Sequence, residues 1–194
     1  DFQRPYARQW DEVKGWGVPG SRPRLADVVR HVKPTLLIGT STQSGAFTEQ
    51  IVRDMAAHSA RPIILPLSNP TSKAEALPAD VLAWTDGRAL VATGSPFAPV
   101  EHGGVTYRIA QANNALVFPG LGLGVTAARA SRITDGMIAA AADAVAGFSD
   151  ATRSGAPLLP PVSDLRPVSA AVAIAVAQAA EAEGLAQTPL DDPI

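Results

Sequence analysis

The sequence predicts an α/β fold in which a parallel β-sheet carries helices on both faces. Short apolar runs, typical of strands that are covered on both sides, recur at 36–38, 62–66 and 89–92. Segments with helical spacing of apolar residues lie between these runs, and such alternation is the pattern of a parallel sheet. The chain has 194 residues and no internal repeat, which suits a single domain with a sizeable core.

Caps, breakers and periodicity define the elements of the first half. Residues 1–24 are rich in aromatic residues, proline and glycine, and we predict a connector with one short helix near 9–13. The elements that follow are predicted, in chain order, to be a helix at 25–32, a strand at 36–38, a helix at 47–57, a strand at 62–66, a helix at 72–83 and a strand at 89–92. Ser72 and Glu75 have the spacing of a capping box, which places the start of the last helix at Ser72.

The second half is predicted to be mainly helical. In chain order we predict a loop or hairpin around Gly103-Gly104 at 94–114, an extended segment at 115–118, a glycine-rich turn opening a helical region that is interrupted near Arg132, a proline-rich loop at 157–161 and a last helix near 165–183. The predicted organisation is a connector at 1–24, one domain at 25–186 and a loose tail at 187–194.

Composition excludes several classes of function. The net charge is -2 without a basic stripe, which argues against nucleic-acid binding. The chain has no cysteine, so thiolate metal sites, thiol nucleophiles and disulfides are excluded, and its three histidines are isolated. No apolar run is long enough to span a membrane, and we expect no membrane partner. The chain begins with neither methionine nor a signal peptide, so we expect a fragment or a processed product.

Polar residues follow two of the predicted strands, and an asparagine pair comes just before the predicted extended segment 115–118; parallel α/β sheets bind ligands at the carboxyl ends of their strands. They form the loop 39–45, the segment 68–70 and the pair Asn113-Asn114. An asparagine amide can donate to a carboxylate and can also accept a hydrogen bond. Taken in isolation, each segment is better explained as a plain turn or a strand-to-helix connection.

Four segments in a fixed order resemble the malic enzyme family, the decarboxylating malate dehydrogenases. They are 67–75 (LSNPTSKAE), 92–97 (ATGSPF), 111–114 (QANN) and 118–124 (FPGLGLG). The similarity covers most of residues 25–186, and the occurrence of several distinctive motifs in the same order makes it specific. The family usually has glycine at the position of Ala112, where alanine would cost about 1 kcal/mol if a positive φ were required.

The resemblance implies a Rossmann-like cofactor domain that is incomplete, because its N-terminal part is absent. It implies oxidative decarboxylation of malate to pyruvate and CO2, with NAD or NADP and with Mg²⁺ or Mn²⁺. Matched residue by residue, it implies that the cofactor contacts Gly39, Thr40, Ser41, Ser68, Asn69, Asn113 and Asn114. It implies that the substrate contacts Asn69 and Asn114.

The resemblance also implies that the acid/base pair, the metal ligands and the glycine fingerprint belong to the N-terminal catalytic domain, upstream of this chain. We therefore assign no catalytic or metal-binding residue here. Tyr6 and Lys14 lie outside the family's motifs, and Glu75 and Asp135 are interpreted as helix-capping carboxylates. Segment 94–97 is expected near the site but not in the chemistry, and glycines 120–124 are interpreted as close helix packing.

The expected parent protein is a cytoplasmic homo-oligomer, and the chain alone is expected to be inactive. Two alternatives remain open from the residues. The first is a malolactic enzyme, which converts malate to lactate. The second is a non-catalytic domain that binds a ligand or regulates a partner.

Overall fold

The computed structural model describes residues 4–18 and 22–188 and has an α/β fold. Its helices are α1 (Trp10–Val13), α2 (Leu25–Val32), α3 (Glu49–His58), α4 (Pro78–Trp84), α5 (Phe118–Ala127), α6 (Asp135–Ala146) and α7 (Leu165–Ala182). Its strands are β1 (Leu36–Gly39), β2 (Ile63–Pro66), β3 (Leu90–Thr93), β4 (Val100–His102), β5 (Val105–Tyr107) and β6 (Ala110–Gln111). None of the helices in these ranges is long and apolar enough to cross a membrane.

Four strands form a parallel sheet in the order β1-β2-β3-β6. Leu37, Ile64 and Val91 lie in register on one face and are buried together. Buried residues of α2, α3 and α4 belong to the same hydrophobic core. The predicted α/β class and its Rossmann-like parallel sheet are therefore confirmed.

The second core consists of α5, α6 and α7, with α7 packed against both of the other helices. A Cβ on Gly120 would lie 2.6 Å from the Ser169 carbonyl oxygen, and one on Gly124 would lie 2.5 Å from that of Ala173. Glycine at these two positions lets α5 approach the backbone of α7. The interpretation of these glycines as close helix packing is confirmed, although they lie within α5 rather than in a turn before it.

Two predicted boundaries are wrong. The helix predicted from Ser72 begins at Pro78, and only a 3₁₀ turn occupies Thr71–Lys73. Ser72 and Glu75 form no capping box, because the Glu75 side chain is buried and accepts hydrogen bonds from Ser41 and Ser68 instead. The extended segment predicted at 115–118 is also wrong, since Asn113 caps a 3₁₀ turn over Asn114–Leu116.

The connection between β3 and β6 contains the predicted hairpin. Strands β4 and β5 pair antiparallel around Gly103 and Gly104, whose φ angles are +58° and +77°. Both angles lie in the left-handed region that glycine adopts without steric cost. The short strand β6 then follows and completes the parallel sheet beside β3.

Candidate functional site

The carboxyl ends of the four parallel strands meet along one edge of the sheet. Loop 40–45 follows β1, segment 67–69 follows β2, Gly94-Ser95 follows β3 and segment 112–114 follows β6. Backbone hydrogen bonds continue between neighbouring strand ends, from the Leu67 N–H to the Gly39 oxygen and from the Ala112 N–H to the Thr93 oxygen. The strand order therefore places all the predicted site residues on this edge.

Glu75 is fully buried between the first two of these loops. Its Oε1 accepts hydrogen bonds from the Ser41 N–H at 2.7 Å, the Ser41 hydroxyl at 2.8 Å and the Ser68 hydroxyl at 2.5 Å. The interpretation of Glu75 as a helix-capping residue is wrong, because its carboxylate turns inward to these loops. One buried carboxylate thus joins the ends of β1 and β2.

The surroundings of Glu75 favour its ionised form. Burial raises the pKa of the Glu75 carboxyl. Hydrogen bonds from the Ser68 hydroxyl and from the Ser41 backbone and hydroxyl lower the same pKa, and together they outweigh the effect of burial. The net pKa is lower than the usual value of 4.5. An ionised carboxylate only accepts hydrogen bonds, which matches the donors that surround it.

Loop 40–45 has a fixed shape near Glu75. Thr42 has a φ of +58°, in the left-handed region that is uncommon for threonine. Its N–H donates to the Ser68 hydroxyl at 2.8 Å and its own hydroxyl donates to the Ser41 oxygen at 2.6 Å. The Gln43 N–H donates to the Ser41 hydroxyl at 3.2 Å. Thr40 and Ser41 nevertheless remain exposed, so a ligand can reach them.

The Asn69 side chain is oriented by the loop that follows β3. Its Oδ1 accepts a hydrogen bond from the Ser95 hydroxyl, while its Nδ2 reaches only the Leu67 oxygen at 3.4 Å. A Cβ on Gly94 would lie 2.0 Å from the Leu67 oxygen and 3.0 Å from Asn69 Nδ2, so only glycine fits there. Segment 94–97, expected near the site, therefore supports Asn69 directly.

The two asparagines after β6 differ in the hydrogen bonding of their side chains. Asn113 Oδ1 accepts a hydrogen bond from the Ala115 N–H at 2.9 Å, so its side chain shapes the turn. Asn114 is exposed, and in the described part of the chain its side chain makes no hydrogen bond. Ala112 is not among the residues with positive φ. The strain considered for alanine at that position is therefore absent.

Sequence reasoning missed the supporting residues of this edge. Glu75 and Ser95 both lie in the matched segments, but their burial and partners are not visible in a linear pattern. Gln111 was also missed, and its Nε2 donates to the Gly94 oxygen at 3.1 Å. Within residues 4–18 and 22–188, no three histidine, aspartate or glutamate side chains are grouped to hold a metal ion.

Comparison with known proteins identifies a matching family model and several relatives, and all of them are described as malic enzymes. Residues 1–181 match the family model described as malic enzyme, NAD binding domain. The chain is 58% identical to NAD-dependent malic enzyme 3 of Bacillus subtilis over 194 residues, covering 99% of this chain and 34% of that protein. It is 54% identical to the NAD-dependent malic enzyme of Pseudomonas syringae pv. syringae over 189 residues, covering 96% of this chain and 33% of that protein.

Solved structures agree with this similarity. The malic enzyme from Pyrococcus horikoshii superposes with a TM-score of 0.67 at 31% identity, over 85% of this chain and 34% of that chain. The Entamoeba histolytica malic enzyme superposes with a TM-score of 0.69 at 26% identity, over 88% of this chain and 32% of that chain. The present chain thus spans about a third of the length of the proteins it matches.

Proposed function

The chain belongs to the malic enzyme family as an NAD-binding domain, and on this premise we propose that it forms part of the cofactor and malate site of an oxidoreductase. The reaction is malate + NAD⁺ → pyruvate + CO2 + NADH. The relatives are named NAD-dependent, which favours NAD over NADP. The rest of the site, including the acid/base pair and the metal ligands, is expected in the two thirds of the related proteins that this chain does not match.

The observation that carries the proposal is the arrangement of polar groups along the carboxyl edge of the sheet. Ser41, Ser68 and Asn69 lie at the ends of adjacent strands, and Glu75 and Ser95 hold them there. Ligands of open α/β sheets bind at this edge. The order of the loops, and the fixed side chains within them, support a built binding site rather than a set of unrelated turns.

NAD fits this edge by the chemistry of its groups. When bound, NAD accepts the hydride from the hydroxyl-bearing carbon of malate. Thr40 presents its backbone and hydroxyl groups beside the end of β1, where we place the nicotinamide end of the cofactor. Ser41 shapes this surface through its backbone, because its N–H and hydroxyl already donate to Glu75. Asn113, through the turn that it caps, presents the backbone after β6 to the same ligand. These residues bind and orient, and none of them transfers a proton.

Malate is placed against Asn69 and Asn114. Asn69 Nδ2 is a donor with only one long contact, and Asn114 has its whole amide available in the described structure. Neutral amides can fix the carboxylate and hydroxyl of malate without adding charge beside a divalent cation. Among the described residues no ligand set for Mg²⁺ or Mn²⁺ is present. We therefore derive no step through the metal from this chain.

The experiment that tests the proposal is an assay of the full-length protein with malate, NAD and Mn²⁺. We expect NADH by absorbance and an equal amount of pyruvate. The 194-residue chain alone should give neither product, because positioning groups do not supply a proton acceptor.

The assay also separates the alternatives. Lactate without net NADH would overturn decarboxylating oxidation in favour of malolactic conversion. Binding of NAD without any product would favour a non-catalytic ligand-binding domain. Faster turnover with NADP than with NAD would overturn the choice of cofactor.

A further inference from the structure

We propose that Glu75 is a positioning residue. It holds loop 40–45, where the cofactor is placed, and segment 67–69, which contains the substrate-binding Asn69, in one fixed geometry. The inference rests on the proposed function and extends it to a residue that touches neither ligand. Its carboxylate bonds to Ser41 in the first loop and to Ser68, the neighbour of Asn69, in the second. A single side chain therefore couples the places assigned to NAD and to malate.

The geometry requires a carboxylate rather than any buried polar group. Oε1 accepts three hydrogen bonds, one from a backbone N–H and two from hydroxyls. Oε2 faces the Ser68 N–H at 3.4 Å. Hydrogen bonds to a charged acceptor are shorter and stronger than neutral ones, and a buried acceptor without partners is costly. Removing Glu75 would release both loops and leave their donors without an acceptor.

The backbone around Glu75 is built to admit its side chain. A Cβ on Gly39 would lie 2.5 Å from Glu75 Cδ and 2.7 Å from Oε2, so the carboxylate occupies the space that a side chain on Gly39 would need. The Phe47 N–H donates to the Glu75 carbonyl oxygen at 3.0 Å, which ties the segment just before α3 to the same residue. Gly39 thereby becomes a second, independent position for perturbing the carboxylate.

The coupling extends to the strained residue of the loop. The Ser68 hydroxyl donates to Glu75 and accepts from the Thr42 N–H at 2.8 Å. Thr42 is held at a φ of +58°, a conformation that persists only where surrounding contacts fix it. Loss of the Glu75 carboxylate would remove the group that orients the Ser68 hydroxyl. Thr42 would then relax, and the exposed face of the loop would change.

The test compares Glu75→Ala, Glu75→Gln and Gly39→Ala in the full-length enzyme. Glu75→Ala should raise the Kd for NAD and the KM for NAD about tenfold or more, with faster amide hydrogen exchange at Ser41 and Thr42. Glu75→Gln should change each less, because its amide oxygen still accepts hydrogen bonds. Gly39→Ala should resemble Glu75→Ala, since it displaces the carboxylate while leaving it present.

Asp150→Asn is the matched control. Asp150 also accepts hydrogen bonds from a backbone N–H and a hydroxyl, both of Thr152. The adjacent Ala151 oxygen accepts from Arg61, which precedes β2 and so lies at the opposite edge of the sheet. This variant should leave the KM, the Kd and the exchange at Ser41 unchanged.

The outcomes distinguish positioning from general stability. A merely structural role would lower kcat in proportion to the folded fraction and leave the KM for NAD unchanged, which would overturn the inference. If Glu75→Ala does not fold, Glu75→Gln and Ser68→Ala decide by the same readouts. If the enzyme binds NAD but does not oxidise malate, the proposed function fails, while exchange and Kd still decide the role of Glu75. If the unaltered enzyme binds no NAD, both are overturned.

Discussion

At the scale of the residue, the candidate site is defined by which polar groups already have partners. Asn113 uses its side-chain oxygen on the Ala115 N–H, and Asn69 uses its oxygen on Ser95. In the described structure the amide nitrogens of Asn69 and Asn113 and the whole side chain of Asn114 are left for a ligand, and of these residues Asn69 and Asn114 are exposed while Asn113 is half-buried. An anionic substrate needs donors that it can reach, so exposure favours Asn69 and Asn114 as the malate-binding pair.

Replacing either of these asparagines should weaken the use of malate. In the full-length enzyme, Asn69→Ala or Asn114→Ala should lower kcat/KM for malate about tenfold or more, the effect of losing one hydrogen bond to a charged group. Asn69→Asp should be worse than Asn69→Ala, because a carboxylate repels the substrate and cannot donate. Gln178→Ala, which removes an exposed amide near the C-terminal end of α7, serves as the control. Unchanged malate kinetics in folded Asn69→Ala and Asn114→Ala variants would remove the assignment.

Glu75 should make stability depend on pH. Its pKa in the folded protein is lower than the usual 4.5, so the unfolded chain binds the proton more readily. The stabilisation is therefore complete above pH 4.5 and is lost as the pH falls from there through the folded pKa. Urea denaturation midpoints should fall more steeply in this acid range for the unaltered protein than for Glu75→Gln.

A control keeps this pH effect specific. Glu49→Gln removes an exposed carboxylate of α3 that pairs with Arg53, and its denaturation midpoints should follow the same acid profile as the unaltered protein. Parallel profiles for the unaltered protein and Glu75→Gln would contradict the assignment of a lowered pKa to Glu75.

Single residues also show where sequence reasoning reaches its limit. Ser68 and Asn69 were predicted from a motif and Ser41 from a polar loop after a strand, and the structure places all three on the same edge. Glu75 was misinterpreted because Ser72 and Glu75 have the spacing of a capping box. Pro78, which favours the first position of a helix, was the better start signal for α4. Burial of a carboxylate depends on distant loops, which no local pattern encodes.

At the scale of the element, local patterns succeeded where the element is long enough to show one. Strands β1, β2 and β3 were predicted because each is an apolar run bounded by turns. Strand β6 was missed because it has only two residues, Ala110 and Gln111, and a segment that short shows no apolar run. The glycines of α5 were recognised as packing residues, but their periodicity in a helix was not.

The packing of α5 on α7 gives a prediction with an internal control. Gly124→Ala should lower the free energy of unfolding by about 1–3 kcal/mol, because the new Cβ would lie 2.5 Å from the Ala173 oxygen. Gly122→Ala has open space around it, so it should be neutral or stabilising by up to about 1 kcal/mol. Urea denaturation of both variants measures the difference. Equal effects would show that α5 and α7 are not in close backbone contact.

At the scale of the whole molecule, the sheet has an edge that the described chain leaves uncovered. In residues 4–18 and 22–188, β1 pairs only with β2, and the side chains of Leu36 and Ile38 are 42% and 53% exposed. Trp16 stacks on His31 with ring centroids 4.7 Å apart, which places it on α2. Tyr6 and Trp10 remain exposed. The described part of the connector therefore does not cover β1.

This uncovered edge predicts that the 194-residue chain associates with itself. Unpaired backbone groups along β1, together with the apolar Leu36 and Ile38, form a surface that is stabilised by pairing with another copy. Sedimentation velocity across a dilution series should show oligomers that dissociate on dilution. Ile38→Lys should shift the chain towards monomer, because the charge would be buried at the contact.

Ile138→Lys is the matched control for that experiment, because Ile138 is 50% exposed and lies on α6, which belongs to the second group of packed helices and not to the sheet. It should leave the oligomers intact. A monomer at tens of micromolar would contradict the prediction, and loss of association in both variants would show that general hydrophobicity, not β1, drives it. Association lost only in Ile38→Lys would identify the edge of β1 as the surface that another polypeptide covers.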